Sequence, residues 1–440
     1  MSVLKAKRYP AYEDSGVEWL GEFPQHWLVC KLKDIAFYQE GPGIMADDFQ
    51  EEGIPLIRIS GMKGDMVSLE GCNFLDPEKV RKKWSHFQMQ QGELLVSASA
   101  TTGIAAKVGE EIVGAVPYTG LIKFKPGRKL DPEYLQYFLT ANIFTDQIDL
   151  QKSGTTIQHY GPTHLGRVFA VLPPLEEQSA IVAHLVTRTA QIDRQIDLLS
   201  QKAIQYGKIK QSLINETVTR GLDKSVPMKG SDVEWIGEVP EHWKVRRIND
   251  IAIQNKNKNS NLVETNLLSL SYGRIIRKDF NTSFGLLPES FETYQVVNNG
   301  TVILRLTDLQ NDQRSLRVGL ANERGIITSA YLGLIFNRLI NSNFAYYLLH
   351  VYDLAKVFYW FGGGLRSTIR FDDIKVIPFV IPPVDEQAAI AKYLDEKTAK
   401  IDHIVTAINT QIGKLKDLRK ALINDVVAGK LKVVSEGMAA

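Results

Sequence analysis

At 440 residues the chain has room for about two to four domains of ordinary size, each able to bury its own core. Hydrophobic residues make up 44% and charged residues 23% of it, ordinary globular values, and no apolar run approaches the roughly 20 residues that a membrane span needs. Fifty-two Lys and Arg against 50 Asp and Glu leave a net charge of +2, which excludes a chain that coats nucleic acid indiscriminately but leaves room for local basic surfaces.

The N-terminus, MSVLKAKRYPAYEDSG, has a basic start with no apolar stretch behind it and shows no secretory signal. A cytoplasmic location is expected. The first distinctive stretch, SGVEWLGEFPQHWLVCKLKDIA at 15 to 36, returns as SDVEWIGEVPEHWKVRRINDIA at 231 to 252, with 13 of 22 positions identical and no gap. Its paired tryptophans, Trp19 with Trp27 and Trp235 with Trp243, have two readings. They are aromatic anchors that pack the start of each domain, because Trp buries so much area, or they form a duplicated docking surface for two copies of one partner. Only Cys30 and Cys72 are present and in no C-x-x-C arrangement, so neither a disulfide framework nor a structural zinc site is expected.

After each copy comes a region of short β-rich runs, about 30 to 172 and 246 to 381, punctuated by Gly, Pro, Asn and Asp. Each region holds one helix-like patch, DPEYLQYFLTANIF and SNFAYYLLHVYDLAKVF, and reads as an α+β domain. Both end alike, in a glycine-bearing polar loop, a strand and a proline pair. The arrangement is repeated while the residues differ, as two readers of different targets require.

PPLEEQSAIVAHLVTRTAQID begins at 173 and PPVDEQAAIAKYLDEKTAKID at 382, an offset of 209 positions. Acidic residues follow each proline pair and no further proline interrupts about 45 residues, so each stretch predicts one helix of roughly 68 Å. In the second copy Leu394, Thr398, Ile401, Val405, Ile408, Ile412, Leu415, Arg419, Leu422 and Val426 step by four and three, a coiled-coil seam. Leu185, Thr189, Ile192, Ile196, Leu199, Ala203, Tyr206, Lys210 and Leu213 match it in the first. The two stripes bury each other best as an antiparallel pair, which gives the repeat a pseudo-two-fold axis. The expected organisation is a first domain at 1–174, a spacer helix at 175–222, a second domain at 223–383 and a second spacer helix with tail at 384–440.

Catalytic motifs are missing. Gly207-Lys208 and Gly413-Lys414 lack the earlier glycine of a phosphate-binding loop and fall within the predicted helices. Leu172 and Ile381 stand before the proline pairs, where an amino-methyltransferase carries Asn or Asp. Asp373-Ile-Lys375 and Asp395-Glu-Lys397 resemble the end of a nuclease metal motif without an upstream partner, and the eight histidines have no metal-ligand spacing. No catalytic or metal-binding residue is assigned. The polar loops hold the residue types that grip phosphates and read base edges. They are Thr101, Thr102 and Lys107 in SASATTGIAAKVG, then Thr155, Thr156, Gln158 and His159; and, in the second region, Arg305, Gln310, Asn311, Arg314 and Arg317 in RLTDLQNDQRSLRVG, then Arg366, Ser367, Thr368 and Arg370. A solvated hairpin tip has a similar composition.

Taken together, W-x-G-x-x-P-x-H-W before each domain and P-P-[LV]-[ED]-E-Q-x-A-I after it resemble the specificity subunit of type I restriction–modification systems, over essentially the whole chain. The resemblance implies a non-catalytic, sequence-specific DNA-binding subunit with two target-recognition domains, each reading half of a split site, on an antiparallel coiled-coil ruler. It also implies partners: double-stranded DNA, two modification subunits methylating adenine N6, and restriction subunits. S-adenosylmethionine, ATP and Mg chemistry then belong to those subunits, with no cofactor in this chain. A two-domain protein-binding scaffold with a coiled-coil spacer, and an enzyme with an unrecognised site, are the competing readings.

Overall fold

The computed structural model describes residues 7–17, 20–98, 103–152, 159–278, 290–309, 316–361 and 369–433. The chain forms two compact units, Met1–Leu199 with Thr410–Ala440, and Ser200–Asn409.

The main sheet of the first unit consists of β1 (Ala36–Glu40), β2 (Leu94–Ser97), β3 (Ala105–Lys107) and β4 (Leu121–Pro126), ordered β1-β4-β2-β3 and antiparallel throughout. Helix α1 (Pro132–Thr140) starts where sequence chemistry places it, with Pro at its first position and the Asp131 carboxylate accepting from the Glu133 and Tyr134 N–H groups. It packs Tyr134, Leu135, Phe138 and Leu139 into the core. The single patch expected over DPEYLQYFLTANIF is in fact two helices. Ala141 is extended, and α2 (Asn142–Lys152) begins after it, its Asn142 N–H donating to Asn424 Oδ1 at 2.7 Å. A smaller sheet of Phe49–Gln50, Ile54–Ile57, Asn73–Leu75 and Val116–Pro117 has its own core of Ile44, Leu56, Leu75, Val80 and Val116.

The first long helix, α3, spans Leu175–Arg220, 46 residues. In the second unit β5 (Ala252–Gln254), β6 (Val302–Leu304), β7 (Val318–Leu320) and β8 (Leu332–Phe336) are ordered β5-β8-β6-β7, the strand order of the first sheet. Helix α4 (Ser342–Leu354) is capped by Asn341 as α1 is by Asp131. The second long helix, α5, is Val384–Val427, 44 residues. Each long helix ends before a glycine with positive φ: Gly221 at +75° and Gly429 at +71°. A side chain at 221 would meet Glu386 Oε1 at 2.9 Å, and one at 429 would meet Pro24 at 2.5 Å, so only glycine fits either turn.

The predicted seam positions are buried or half-buried in both helices. Leu185, Thr189 and Ile192 in the first unit and Leu394, Thr398, Ile401 and Ile408 in the second are buried, whereas most intervening positions are exposed. Each unit carries an ion pair between the helices: Asp193–Arg419 at 3.0 Å in the first and Lys210–Asp402 at 2.6 Å in the second. Numbers rise along one helix as they fall along the other, and 193 + 419 and 210 + 402 both give 612. Within each unit the two helices run antiparallel. The two pairs are also images of each other under the repeat, since 193 and 210 plus 209 are 402 and 419.

The repeated motifs meet at the start of each long helix. In the first unit Glu177 accepts from Trp27 Nε1 at 3.1 Å and from Tyr9 Oη at 2.6 Å, and lies 2.8 Å from His26 Nε2. In the second, Glu386 accepts from Trp243 Nε1 at 3.2 Å and lies 2.8 Å from His242 Nε2. The next residue is matched as well. Gln178 donates to the carbonyls of Lys129 and Pro173 and accepts from Asp131 N–H; Gln387 donates to those of Leu339 and Pro382 and accepts from Asn341 N–H. Thus His-Trp binds the glutamate, and the glutamine fixes the loop that caps α1 or α4. A carboxylate in the first helical turn also meets the positive end of the helix dipole. Burial and Glu177 together push the Tyr9 hydroxyl far above its usual range.

Candidate nucleic-acid interface

Trp27 and Trp243 are 2% and 0% exposed and pack in the cores of their units. Trp235 is half-buried, edge-on against Tyr352, Trp360 and Phe361. Trp19 lies outside the described residues.

The described flanks of the candidate segments meet at one end of each sheet. In the first unit β2 leads into Ala98, and the second loop returns through His159 to Tyr160, whose N–H donates to the Ala98 carbonyl at 3.1 Å. In the second unit β6 leads through Arg305 to Leu306, and Ile369 N–H donates to the Leu306 carbonyl at 3.1 Å. The same backbone bond therefore joins the flanking residues of the two polar segments in both units and brings Arg370 to the Arg305 end of its sheet. Thr101, Thr102, Thr155, Thr156, Gln158, Gln310, Asn311, Arg314, Arg366, Ser367 and Thr368 lie outside the described residues.

Two of the candidates have other positions. Lys107 pairs with Leu94 in register, at the opposite end of β2, and its ammonium lies 3.1 Å from Glu133. Arg317 is fully buried. Its guanidinium donates to the carbonyls of Arg305 at 3.1 Å, Thr307 at 2.8 Å and Asp308 at 3.3 Å, and lies 5.9 Å from the Tyr359 ring centre. Such an arginine fixes the backbone from Arg305 to Asp308. Asp308, which it holds, has φ +57°, a conformation a non-glycine residue keeps only when its surroundings impose it. Arg370 is exposed, its N–H accepted by Asp373 at 2.7 Å.

The nuclease-like carboxylates have structural work. Asp373 caps the short helix Phe371–Ile374 by accepting from Arg370 N–H, Lys375 pairs with Asp372 at 2.7 Å, and Asp395 accepts from Tyr347 Oη at 2.7 Å. Among the described residues no His, Cys, Asp and Glu group is arranged to hold a metal, and no helix is long and apolar enough to cross a membrane.

One residue absent from the sequence-based candidates sits at the convergent end. Glu40, the last residue of β1, contacts His159 Nε2 at 2.8 Å and accepts from Gly120 N–H at 3.3 Å. The repeat could have exposed it, because the aligned residue of the second copy, 216 positions on, is Lys256.

A duplicated sheet with one fixed joint and one variable loop cluster per unit is the architecture of a two-module recognition protein. The chain belongs to the type I restriction modification DNA specificity domain family, which matches residues 24–205 and 240–414. It is similar to the putative type I restriction enzyme MjaX specificity subunit of Methanocaldococcus jannaschii, 24% identical over 94% of this chain and 96% of that one. The type I restriction enzyme EcoKI specificity subunit of Escherichia coli K12 is 18% identical over 93% and 90%. Among solved structures, a chain from work on assembly and conformational transition of the type I R-M system covers 93% of this chain and 99% of its own at TM-score 0.66 and 18% identity. The HsdS subunit from Thermoanaerobacter tengcongensis matches at TM-score 0.50 and 16% identity, covering 93% and 98%.

Proposed function

We propose that this chain is the DNA specificity subunit of a type I restriction–modification complex, reading a bipartite duplex site with one half assigned to each unit. The observation that carries the reading is the paired construction: equal strand order, equal joints and an equal loop-to-loop bond, surrounding loops of unrelated sequence. A protein-binding scaffold would need no such pair of polar loop clusters, and family membership goes against it. The antiparallel helices set the unspecified gap between half-sites. The partners are two modification subunits and the restriction subunits. These carry S-adenosylmethionine, ATP and Mg, and the complex acts in the cytoplasm.

The test is an exchange of 246–381 for the equivalent segment of a relative, with methylation profiling of the assembled complex. One half of the methylated site is expected to change and the other to persist. A change in both halves sinks the modular reading. The purified chain alone is expected to bind duplex DNA with strong salt dependence, since phosphate contacts release counterions, and to transfer no methyl group. Methyl transfer by the pure chain would make it an enzyme and overturn the assignment.

A further inference from the structure

We propose that Glu40 reads a cytosine in the half-site of the first unit, its Oε2 accepting a hydrogen of the cytosine N4 amino group. This rests on the DNA-reading function above. Glu40 ends β1, where register is fixed by pairing with Ile122 on β4, so it is placed by the sheet and not by a loop. Its side chain is 24% exposed and that of His159 41%: open enough to be reached, covered enough to be held. Oε1 is occupied by His159 Nε2 and the Gly120 N–H. Oε2 meets no donor among the described residues. A side chain at Gly161 would come within 3.3 Å of Oε2, and one at Gly120 within 3.6 Å of the His159 ring. Glycine at both positions leaves the carboxylate open to close approach.

An ionised carboxylate only accepts hydrogen bonds. In the major groove the donors are cytosine N4 and adenine N6, and adenine sets the N7 acceptor beside its amino group, which repels a carboxylate. Guanine and thymine offer acceptors there. A fixed anion at the groove therefore favours cytosine. The second unit has the opposite sign at the matched position. Lys256 is exposed, and it acts with Arg370 on the carboxyl of Asp372, which Lys375 first and these cations next hold below the usual range. A cation there suits guanine O6 and N7. The same place in the repeated frame thus carries an acceptor in one unit and a donor in the other.

The experiment uses the assembled modification complex and a panel of duplexes, each with one base pair changed in the site, with affinity measured by fluorescence anisotropy. Wild type is expected to lose roughly ten- to hundred-fold at each specified position. Glu40→Gln keeps an oxygen for His159 and Gly120 and turns an amide N–H₂ outward. It is expected to lose discrimination at one C·G pair of one half-site and to favour a base with an acceptor there, with all other positions unchanged. Lys256→Gln should alter only the other half-site. The proposal is overturned if Glu40→Gln discriminates as wild type does, if the affected pair is A·T, or if discrimination falls across that whole half-site, which would mark a structural role. Absence of sequence discrimination by wild type in both halves would instead sink the DNA-reading function itself.

Discussion

Trp243→Ala is expected to destabilise the second unit by about 3–5 kcal/mol, the range for removing a buried aromatic side chain. The indole is fully buried, its ring 6.4 Å from that of Phe344, in one cluster with Ile214 and Val218 of α3 and Val239. Its removal opens a cavity that these neighbours fill only in part, and it takes from Glu386 the indole donor, leaving His242 on that carboxylate. Total stabilities run about 5–15 kcal/mol, so the loss is a large fraction of what one unit has. For a unit of about 200 residues it lowers the first thermal transition by roughly 6–20 °C. Two units need not melt together, so limited proteolysis should cut the second unit early while the first stays protected, and Trp27→Ala should reverse the order. His242→Ala, at a half-exposed side chain, should cost far less. Equal protection of both units in Trp243→Ala, or a melting curve like that of wild type, would show that the indole does not hold the joint.

That joint also marks the limit of what the sequence makes legible. Both halves of it are visible as repeats, because the positions that cannot vary independently are identical in the two copies. Their partnership is not visible. Trp27 and Glu177 stand 150 positions apart, and nothing local in H-W or E-Q says that one donates to the other. The seam is legible almost residue by residue, since a heptad pattern is periodic and local. The loops are the least legible part. Arg305 and Arg317 have the same composition signal, yet Arg317 turns beneath the hairpin to bind three carbonyls while Lys107 falls at the far end of its sheet. Strand pairing decides those positions, and pairing is a long-range property. Glu40 is not legible as a site because a single acidic residue at a strand end carries no motif; the two copies set side by side reveal the change of sign to lysine.

The second large effect concerns the spacing of the half-sites. Four residues inserted after Ser200 renumber Lys210, Asp402 and Arg419 as 214, 406 and 423, so the pair in the second unit sums to 620 while Asp193 with its arginine sums to 616. A single insertion therefore sets the two ion pairs out of register by four residues, about one helical turn or 6 Å. One pair must break or one helix must bulge. A matching insertion of four after Gln411 moves the arginine on to 427 and restores equality, 193 + 427 and 214 + 406 both being 620. Four residues in each helix is an irregularity that a heptad seam tolerates by local unwinding. The doubly extended chain, assembled with its modification partner, is expected to methylate both original half-sites with the gap between them longer by about one to two base pairs, because 6 Å is nearly two steps of roughly 3.4 Å along DNA. The singly extended chain is expected to lose most of its methylation or to keep a smaller change in gap. Methylation profiling distinguishes these outcomes directly. An active, doubly extended complex that kept the original gap would mean that the helices do not set the spacing, even though every contact seen between them remained in place.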